Sequence, residues 1–202
     1  MSAPPCEPAP LTRAWLDTAP RQLLNRGNRR NPDVLLVEYG GRMVVVKDFA
    51  PRAAWVRVGL GRWITAREVR ALRALDGHPA IPALVQCIDP LAFAVEYRPG
   101  RRMSRKLAEV APADFVDRLG EALAEMHRRG VAHLDLRHRS NVMMSDDGEP
   151  VLIDFGSAIT FRPGSRGARG LLPVLAWIDR RALAKWRVRL SRPSAPPGRV
   201  QP

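Results

Sequence analysis

The stretch VAHLDLRHRSN, residues 131–141, is crowded with polar groups at a point where the chain leaves one predicted helix and approaches a predicted strand. It contains Asp135 and Asn141, and a further acid, Asp154, ends the apolar run in LIDFG. Carboxylate and amide oxygens are suitable ligands for Mg²⁺, and another carboxylate can orient a hydroxyl for attack on a phosphoryl group. The residue types therefore predict a site for phosphoryl transfer.

Two charged residues upstream would complete this chemistry. Lys47 ends the β-branched run VVVK and is one of only three lysines among 33 basic residues. A lysine kept in a chain that otherwise uses arginine indicates a need for a compact ammonium, which can hold phosphates. Glu68 lies on the inward face of the next predicted helix, and we expect it to fix that ammonium by an ion pair.

Both charged residues also have simpler interpretations. Lys47 would be an ordinary lysine on an edge strand. Thr65 and Glu68 have the spacing of a capping box, in which the glutamate would close the N-terminus of its own helix. The apolar periodicity extends upstream of Thr65 to Trp63 and Ile64, and this favours the ion pair.

The elements that would position these residues are indicated by changes in apolar periodicity. A hairpin turning at Gly40-Gly41 precedes a helix that stops near Gly77, and a strand pair turning at Asp89-Pro90 follows. The sequence PADFVDRLGEALAEMHRRG predicts a helix with an apolar stripe of Phe115, Val116, Leu119, Ala122, Leu123 and Met126. Two short strands around an Asp146-Asp147-Gly148 turn and a last helix from about Leu171 to Leu190 complete an α+β fold in two lobes.

The ends of the chain differ in composition from its body. Both ends are rich in proline and small residues, so residues 1–12 are expected to be a disordered leader and residues 191–202 a disordered tail. Between them we expect a β-rich N-terminal lobe with one long helix over residues 13–98. A C-terminal lobe that carries the polar loop should follow over residues 99–190.

Four features in chain order resemble the protein-kinase-like superfamily. They are a strand lysine, a helix glutamate, a polar loop with an acid and an amide, and Asp154-Phe155-Gly156. The similarity runs from about Val34 to Ala158. Within the superfamily, HLDLRHRSN looks most like small bacterial RIO-type kinases and lipopolysaccharide-core (Kdo) sugar kinases. The resemblance implies a two-lobed protein-kinase-like fold with a truncated helical C-terminal lobe, because 46 residues follow Gly156.

The resemblance also implies roles for individual residues, with ATP and Mg²⁺ as the cofactors. Lys47 would bind phosphates while paired with the helix glutamate, and Asp135 would be the catalytic base. Arg137 would assist at the γ-phosphate, and Asn141 and Asp154 would hold magnesium. The adenine would be received by the backbone of the hinge residues Glu96, Tyr97 and Arg98.

The sequence departs from the kinase pattern in three places. No Gly-rich G-x-G-x-x-G precedes Lys47, so the loop NRGNRRNPD with Gly27 is the candidate cover for the phosphates. Leu134 replaces the arginine of the H-R-D motif, which argues against control by a phosphorylated activation loop. The interval from Asp135 to Asn141 is one residue longer than the pattern, which would place Ser140 at the amide position. One inserted residue explains the interval and keeps Asn141 as the ligand.

The acceptor is predicted from length and charge. The 46 residues after Gly156 leave no room for the helical peptide-docking half of a typical protein kinase. Lys and Arg total 33 against 20 Asp and Glu, and residues 159–202 alone carry 10 basic residues and 1 acidic residue. A basic surface attracts phosphates, so a sugar or glycolipid hydroxyl is the expected acceptor, with a RIO-like protein kinase as the alternative. A nucleotide-binding pseudokinase or a basic RNA-associated module is the alternative from another class, and a solvated, arginine-rich surface explains the charge without any partner.

The last helix allows two interpretations. A predicted apolar stripe of Leu171, Leu175, Ile178, Ala182 and Trp186 faces the basic residues Arg180, Arg181, Lys185 and Arg189. The helix would either pack on the C-terminal lobe or lie on an anionic membrane surface.

The location is predicted from the cysteines and the N-terminus. Cys6 and Cys87 do not form a disulfide framework, and the first residues do not suit a secretory signal. We therefore expect a cytoplasmic protein, either free or at the inner face of the membrane. The spacing of His127, His133 and His138 does not match a zinc site.

Overall fold

The computed structural model describes residues 10–108 and 110–190, which form two compact units. The first unit is built from residues up to Gly77, from Pro82–Arg98 and from Phe155–Ser157. The second is built from His78–Ile81, Pro99–Asp154 and the residues from Ala158 onwards. The short segments His78–Ile81 and Phe155–Ser157 thus belong to a different unit from the residues on either side of them in the chain.

The first unit contains an antiparallel five-stranded sheet and one long helix. Its elements are α1 (Arg13–Thr18), β1 (Arg21–Asn25), β2 (Asp33–Tyr39), β3 (Arg42–Asp48), a π-helical turn (Val56–Gly61), α2 (Arg62–Ala74), β4 (Leu84–Asp89), β5 (Ala92–Glu96) and a 3-10 turn (Phe155–Ser157). The strand order is β1-β2-β3-β5-β4, so β3 is the central strand.

The β2–β3 hairpin fixes the register of the central strand. Gly40 and Gly41 have φ angles of 58° and 73°, and this backbone is available to glycine at little cost. The turn pairs Val34 with Lys47 across the hairpin. Alternate strand residues pack with Leu11 and Leu16 in one core cluster of the unit (Leu11, Leu16, Leu35, Val37, Val44, Val46 and Ala94).

The last residues of the predicted disordered leader, residues 1–12, are folded. Residues 1–9 lie outside the described residues, but Leu11 is 1% exposed and its backbone N–H donates to Gln86 Oε1 at 3.0 Å. Thr12 Oγ1 accepts a hydrogen bond from Trp15 N and begins α1. Residues 11 and 12 are therefore part of the folded first unit. The predicted tail, residues 191–202, also lies outside the described residues.

The second unit combines helices with two small sheets. Its elements are β6 (Gly100–Arg102), α3 (Arg105–Ala108), α4 (Phe115–Arg128), β7 (Val131–Ala132), a 3-10 turn (Arg139–Asn141), β8 (Val142–Ser145), β9 (Pro150–Leu152), β10 (Ile159–Thr160), α5 (Arg166–Gly170) and α6 (Leu172–Leu190). The sheets have the orders β6-β8-β9 and β10-β7. All six residues of the predicted α4 stripe are buried, so that prediction is confirmed.

The predicted buried face of α6 is wrong in part. Leu171, just before the helix, and Ile178 are 49% and 42% exposed, whereas Ala176, Asp179, Ala182 and Trp186 are buried. These four positions, spaced by three or four residues, lie on one helical face. α6 contacts α4 and β7, and this buried face includes a carboxylate that the apolar pattern did not identify.

The carboxylate of Asp179 holds the start of the polar loop. It accepts hydrogen bonds from the backbone N–H groups of His133 and Leu134, both at 2.8 Å. Nε2 of His127 lies 3.0 Å from the same carboxylate. Two turns further along α6, the buried indole of Trp186 donates to the carbonyl oxygen of Leu136 at 3.0 Å. One helix therefore fixes backbone groups on both sides of Asp135.

His133 is a buried structural side chain. Its Nε2 lies 3.1 Å from the carbonyl oxygen of Ile153, and its Nδ1 accepts the Asp135 backbone N–H at 3.4 Å. This pattern requires a neutral ring with the proton on Nε2. Burial lowers the pKa of His133 because it disfavours the charged imidazolium, and this effect outweighs the hydrogen bond to Ile153 and the nearby carboxylates.

Gly130 ends α4 in a conformation that excludes a side chain. Its φ is 85°, and a Cβ at this position would lie 2.5 Å from the carbonyl oxygen of Phe161. Gly164 has a φ of 77° with open space around it. Both alanine variants should lose about 1–2 kcal/mol from the left-handed backbone, and Gly130→Ala should lose about 1–3 kcal/mol more from the clash. Chemical denaturation measures both free energies, and equal losses would contradict the assigned contact.

The buried, neutral His133 predicts a dependence of stability on pH. In the unfolded chain the histidine binds a proton below its ordinary pKa of about 6.5, whereas the lowered pKa keeps it neutral in the fold. The free energy of unfolding should therefore fall as the pH decreases from 7 to 5. His133→Gln should reduce this fall by up to about 1.4 kcal/mol per pH unit, while His138→Gln, at an exposed position, is the matched control. Identical pH slopes for His133→Gln and the wild type would refute the assignment.

Candidate active site

The first unit contains the predicted pair of Lys47 and Glu68. Nζ of Lys47 donates to Oε1 of Glu68 at 2.5 Å, and the two side chains are only 14% and 5% exposed. Lys47 lies on the central strand β3, so the edge-strand interpretation is wrong. A buried ion pair carries a desolvation cost that two apolar residues would avoid. The pair therefore indicates a purpose other than stability.

The capping-box interpretation of Glu68 is also wrong. The π-helical turn Val56–Gly61 runs directly into α2, so Thr65 is buried inside the helix and not at its first residue. Oε1 of Glu68 instead accepts two groups, the Lys47 ammonium and the Phe155 backbone N–H at 3.2 Å. The glutamate thereby ties the strand lysine to the residue that follows Asp154 in the chain.

The predicted adenine-binding residues follow β5 in the first unit. The Glu96 backbone N–H donates to the carbonyl oxygen of Ala83 at 2.9 Å. Its carboxylate accepts the Ala83 N–H at 3.2 Å and Nε of Arg98 at 3.1 Å. Tyr97 between them is 37% exposed. The backbone of Glu96 is therefore held in place, and the role of Glu96, Tyr97 and Arg98 toward adenine stays a prediction.

The backbone of Gly27 is held by hydrogen bonds to side chains of the first unit. The Gly27 N–H donates to Oδ1 of Asp33 at 2.8 Å, and its carbonyl oxygen accepts Nη1 of Arg52 at 2.9 Å. Arg52 also forms an ion pair with Asp33. Both backbone groups of Gly27 are therefore engaged within the first unit, and a phosphate-covering role for this loop stays a prediction.

In the second unit the polar loop brings Asp135 and Asn141 together. Nδ2 of Asn141 donates to the backbone oxygen and to Oδ2 of Asp135, both at 3.0 Å. Asn141 is 4% exposed, whereas Ser140 is exposed. Because the amide nitrogen has two acceptors, the orientation of the Asn141 side chain is fixed and its Oδ1 points away from Asp135. This oxygen accepts a hydrogen bond from the Ser140 hydroxyl at 3.2 Å and from no other group within residues 10–108 and 110–190.

Asn141 and Asp154 are connected through one residue, Ile153. The Ile153 N–H donates to the Asn141 carbonyl oxygen at 3.0 Å, and the Ile153 carbonyl oxygen lies within hydrogen-bond distance of His133 Nε2. The residue that precedes Asp154 is thus fixed to Asn141 on one side and to His133 on the other. An amide oxygen and a carboxylate on this frame are the hard oxygen donors that magnesium prefers, so the residues fit the predicted ion.

Two residues of this unit have strained backbones. Leu134 and Asp154 have φ angles of 68° and 69°, which non-glycine residues rarely adopt. Such strain costs about 1–3 kcal/mol per residue and persists only where the surroundings hold it, often at functional sites. In this unit one strained residue, Leu134, immediately precedes Asp135, and the other is Asp154 itself.

The loop also surrounds Asp135 with cationic or titratable groups. Nε of Arg137 is 3.8 Å and Nε2 of His138 is 3.4 Å from Oδ1 of Asp135. The Arg137 side chain is 73% exposed and the Asp135 side chain 29% exposed. Both side chains are thus accessible to solvent, and the role of Arg137 at a phosphate stays a prediction.

Among the described residues, no group of three or more His, Cys, Asp or Glu side chains is arranged to hold a metal ion. None of the helices within residues 10–108 and 110–190 has the length and hydropathy that crossing a bilayer requires. Cys87 is exposed and unpaired, and Cys6 lies outside the described residues.

The sequence reasoning missed Asp179 and Trp186 as supports of the loop. A signal for Asp179 was present, because it is the only acidic residue in 159–202 and lies one turn from both Leu175 and Ala182 on the predicted apolar face. Trp186 belongs to the predicted apolar stripe of the last helix. Its indole hydrogen bond to Leu136 depends on a tertiary contact that periodicity does not reveal.

Comparisons with known proteins agree with this geometry. Residues 38–173 match the protein kinase domain. The chain is 29% identical over 174 residues, 75% of its length, to the serine/threonine-protein kinase PknK of Mycobacterium tuberculosis. It spans only 15% of the length of that relative.

Two further relatives match shorter parts of this chain. A probable bifunctional tRNA threonylcarbamoyladenosine biosynthesis protein of Thermoplasma acidophilum is 36% identical over 81 residues, 39% of this chain and 15% of that protein. Serine/threonine-protein kinase 16 of Mus musculus is 32% identical over 69 residues, 34% of this chain and 22% of that protein. The RIO-type or sugar-kinase subtype stays a prediction, but the domain match extends over more than half of the 202 residues. The chain therefore belongs to the protein kinase domain family, and its α+β fold is protein-kinase-like.

Proposed function

We propose that this protein is an ATP- and Mg²⁺-dependent phosphotransferase that transfers the γ-phosphate to a hydroxyl group. The observation that carries the proposal is the buried Lys47–Glu68 ion pair, whose carboxylate also receives the Phe155 N–H. A lysine held this way keeps its ammonium in one position, ready for the α- and β-phosphates of a nucleotide.

The remaining roles follow from the chemistry of each residue. Asp135 would orient the acceptor hydroxyl and accept its proton as the oxygen attacks the γ-phosphorus and the bond to the departing ADP breaks. Asn141 and Asp154 would hold magnesium, which neutralises phosphate charge when it is bound. Arg137 would balance the charge that develops on the transferred group. The backbone of Glu96, Tyr97 and Arg98 would receive adenine.

The acceptor that the relatives support is a serine or threonine hydroxyl of a protein, because two of them are named serine/threonine-protein kinases. A sugar or glycolipid hydroxyl is the second candidate, supported by the exposed basic residues of the second unit. Labelled transfer to each acceptor class distinguishes the two.

Contact with an anionic membrane is a separate proposal about α6. Val174, Trp177 and Ile178 are 57%, 51% and 42% exposed. The guanidinium of Arg181 lies 4.4 Å from the Trp177 ring centroid. Exposed apolar side chains beside basic ones are typical of helices that lie at a lipid surface.

Asp154→Asn tests the proposed reaction. The amide replaces a charge that magnesium needs, so we expect at least about a hundredfold loss of phosphoryl transfer from labelled ATP, the scale of a lost catalytic electrostatic group. Asp146→Asn, an equal change in an exposed turn, should retain wild-type turnover. Transfer by Asp154→Asn within a few-fold of wild type would refute the metal role. A wild-type protein that binds nucleotide without magnesium-dependent turnover would be a pseudokinase.

The two adjacent residues of the loop should differ strongly in importance. Asn141 is buried and oriented by Asp135, whereas Ser140 is exposed. We expect Asn141→Ala to lose about tenfold or more in kcat relative to Ser140→Ala, since a lost metal-site group typically costs 10–100-fold. Steady-state kinetics at several magnesium concentrations measures both variants. The reverse ranking would show that Ser140 occupies the ligand position.

A further inference from the structure

The arginines of the second unit fall into two groups by their partners. Those around α4 form ion pairs: Arg118 with Asp114 and Glu149, Arg128 and Arg129 with Glu125, and Arg187 with Asp117. Others are exposed and form no ion pair with any described residue: Arg101, Arg102, Arg139, Arg162, Arg166, Arg169, Arg180 and Arg181. We call four of them, Arg101, Arg102, Arg139 and Arg162, the unpaired arginines.

The unpaired arginines come from segments that adjoin the loop of Asp135. β6 carries Arg101 and Arg102, pairs with β8 and contacts the 3-10 turn that contains Arg139. Arg162 follows β10, which pairs with β7 directly before the loop. The unpaired arginines therefore lie on segments that adjoin the loop or belong to it, all within one unit.

The loop itself adds positive charge. The Arg137 side chain is 73% exposed beside Asp135, and the exposed Arg139 follows two residues later. Asp135 is the only acidic residue in residues 131–141. An acceptor whose hydroxyl reaches Asp135 must therefore lie against several cationic side chains and no second carboxylate of this loop.

Exposed arginines without an ion pair to a described residue also occur on α5 and α6, but the unpaired arginines lie on segments that adjoin the loop of Asp135 or form part of it. An acceptor bound at Asp135 would therefore meet their charge first. Complementary charge raises the association rate of a partner, and like charge excludes it.

We infer that the acceptor is an acidic protein segment, in which Asp, Glu or phosphorylated residues flank the serine or threonine hydroxyl. The inference rests on the proposed function and names its substrate class. A basic peptide would meet the unpaired arginines as a repulsive surface, whereas an acidic peptide would form charge-assisted hydrogen bonds with them.

Three serine peptides of equal length, flanked by Asp and Glu, by Ala and Gln, or by Lys and Arg, test the inference with the full chain. Transfer from labelled ATP gives kcat/KM for each peptide, and ATP hydrolysis is measured in parallel. We expect at least about a tenfold preference for the acidic over the neutral peptide at low salt, the lower end of electrostatic steering. The preference should shrink near 1 M salt, where the screening length is about 3 Å.

A charge-reversal variant tests which residues are responsible. Arg102→Glu/Arg139→Glu should lose about tenfold in kcat/KM for the acidic peptide, mainly through KM, and should improve transfer to the basic peptide. Arg57→Glu/Arg70→Glu makes the same change of charge at exposed positions of the first unit and should retain the preference. An equal loss in both double variants would overturn the assignment to the unpaired arginines.

The remaining outcomes separate the two levels of the proposal. Equal or better transfer to the neutral or basic peptide, with ATP turnover intact, overturns the acidic acceptor alone. Transfer to a phosphosugar or an anionic glycolipid but not to the acidic peptide overturns the protein acceptor. The absence of magnesium-dependent turnover with every acceptor overturns the proposed function and this inference with it.

Discussion

The carboxylate of Asp179 accepts two consecutive backbone N–H groups, those of His133 and Leu134, while the residue is 1% exposed. Leu134 has a left-handed backbone that a leucine does not adopt without support. Each N–H left without an acceptor in a buried place costs about 1–3 kcal/mol. The conformation that presents Asp135 therefore depends on a charge located more than forty residues later in the chain.

In both units, one polar group of a site residue makes two hydrogen bonds. In the first, one oxygen of Glu68 serves both Lys47 and the Phe155 N–H. In the second, the amide of Asn141 makes two contacts with Asp135. Glu68 and Asn141 are thus each held by a backbone group as well as by a charged side chain of their own unit. Such preorganisation reduces the rearrangement that must accompany a reaction.

Local signals were sufficient for the parts of the fold that have strong periodicity. The Gly40-Gly41 turn, the α4 stripe and the position of Lys47 before a helix with an inward Glu68 all follow from short-range patterns. The short elements α1, β1 and β6 have no such pattern. Their positions depend on tertiary contacts, such as the hydrogen bond between Leu11, just before α1, and Gln86. The buried face of α6 could not be derived from apolar residues alone, since a carboxylate lies at its centre.

The two-unit division shows a similar limit of local reasoning. Phe155–Ser157 belongs to the first unit, although the residues on both sides belong to the second. The reason is the contact of this short turn with α2, including the hydrogen bonds of Glu68 with Phe155 and of Arg67 with Ser157. Contacts between residues almost ninety positions apart, as in these two pairs, leave no periodic trace in the sequence.

The environment of Trp186 gives the protein an internal optical probe. Of the five tryptophans, Trp55, Trp63 and Trp177 are more than half exposed and Trp15 is partly buried in the first unit. Trp186 is 2% exposed and its indole N–H is bound to the carbonyl oxygen of Leu136. Its fluorescence should be blue-shifted relative to that of the solvent-facing indoles. Because the bonded carbonyl belongs to the residue after Asp135, detachment of the loop from α6 would change the emission of this one ring. The chain thus carries a built-in spectroscopic reporter of its candidate catalytic loop.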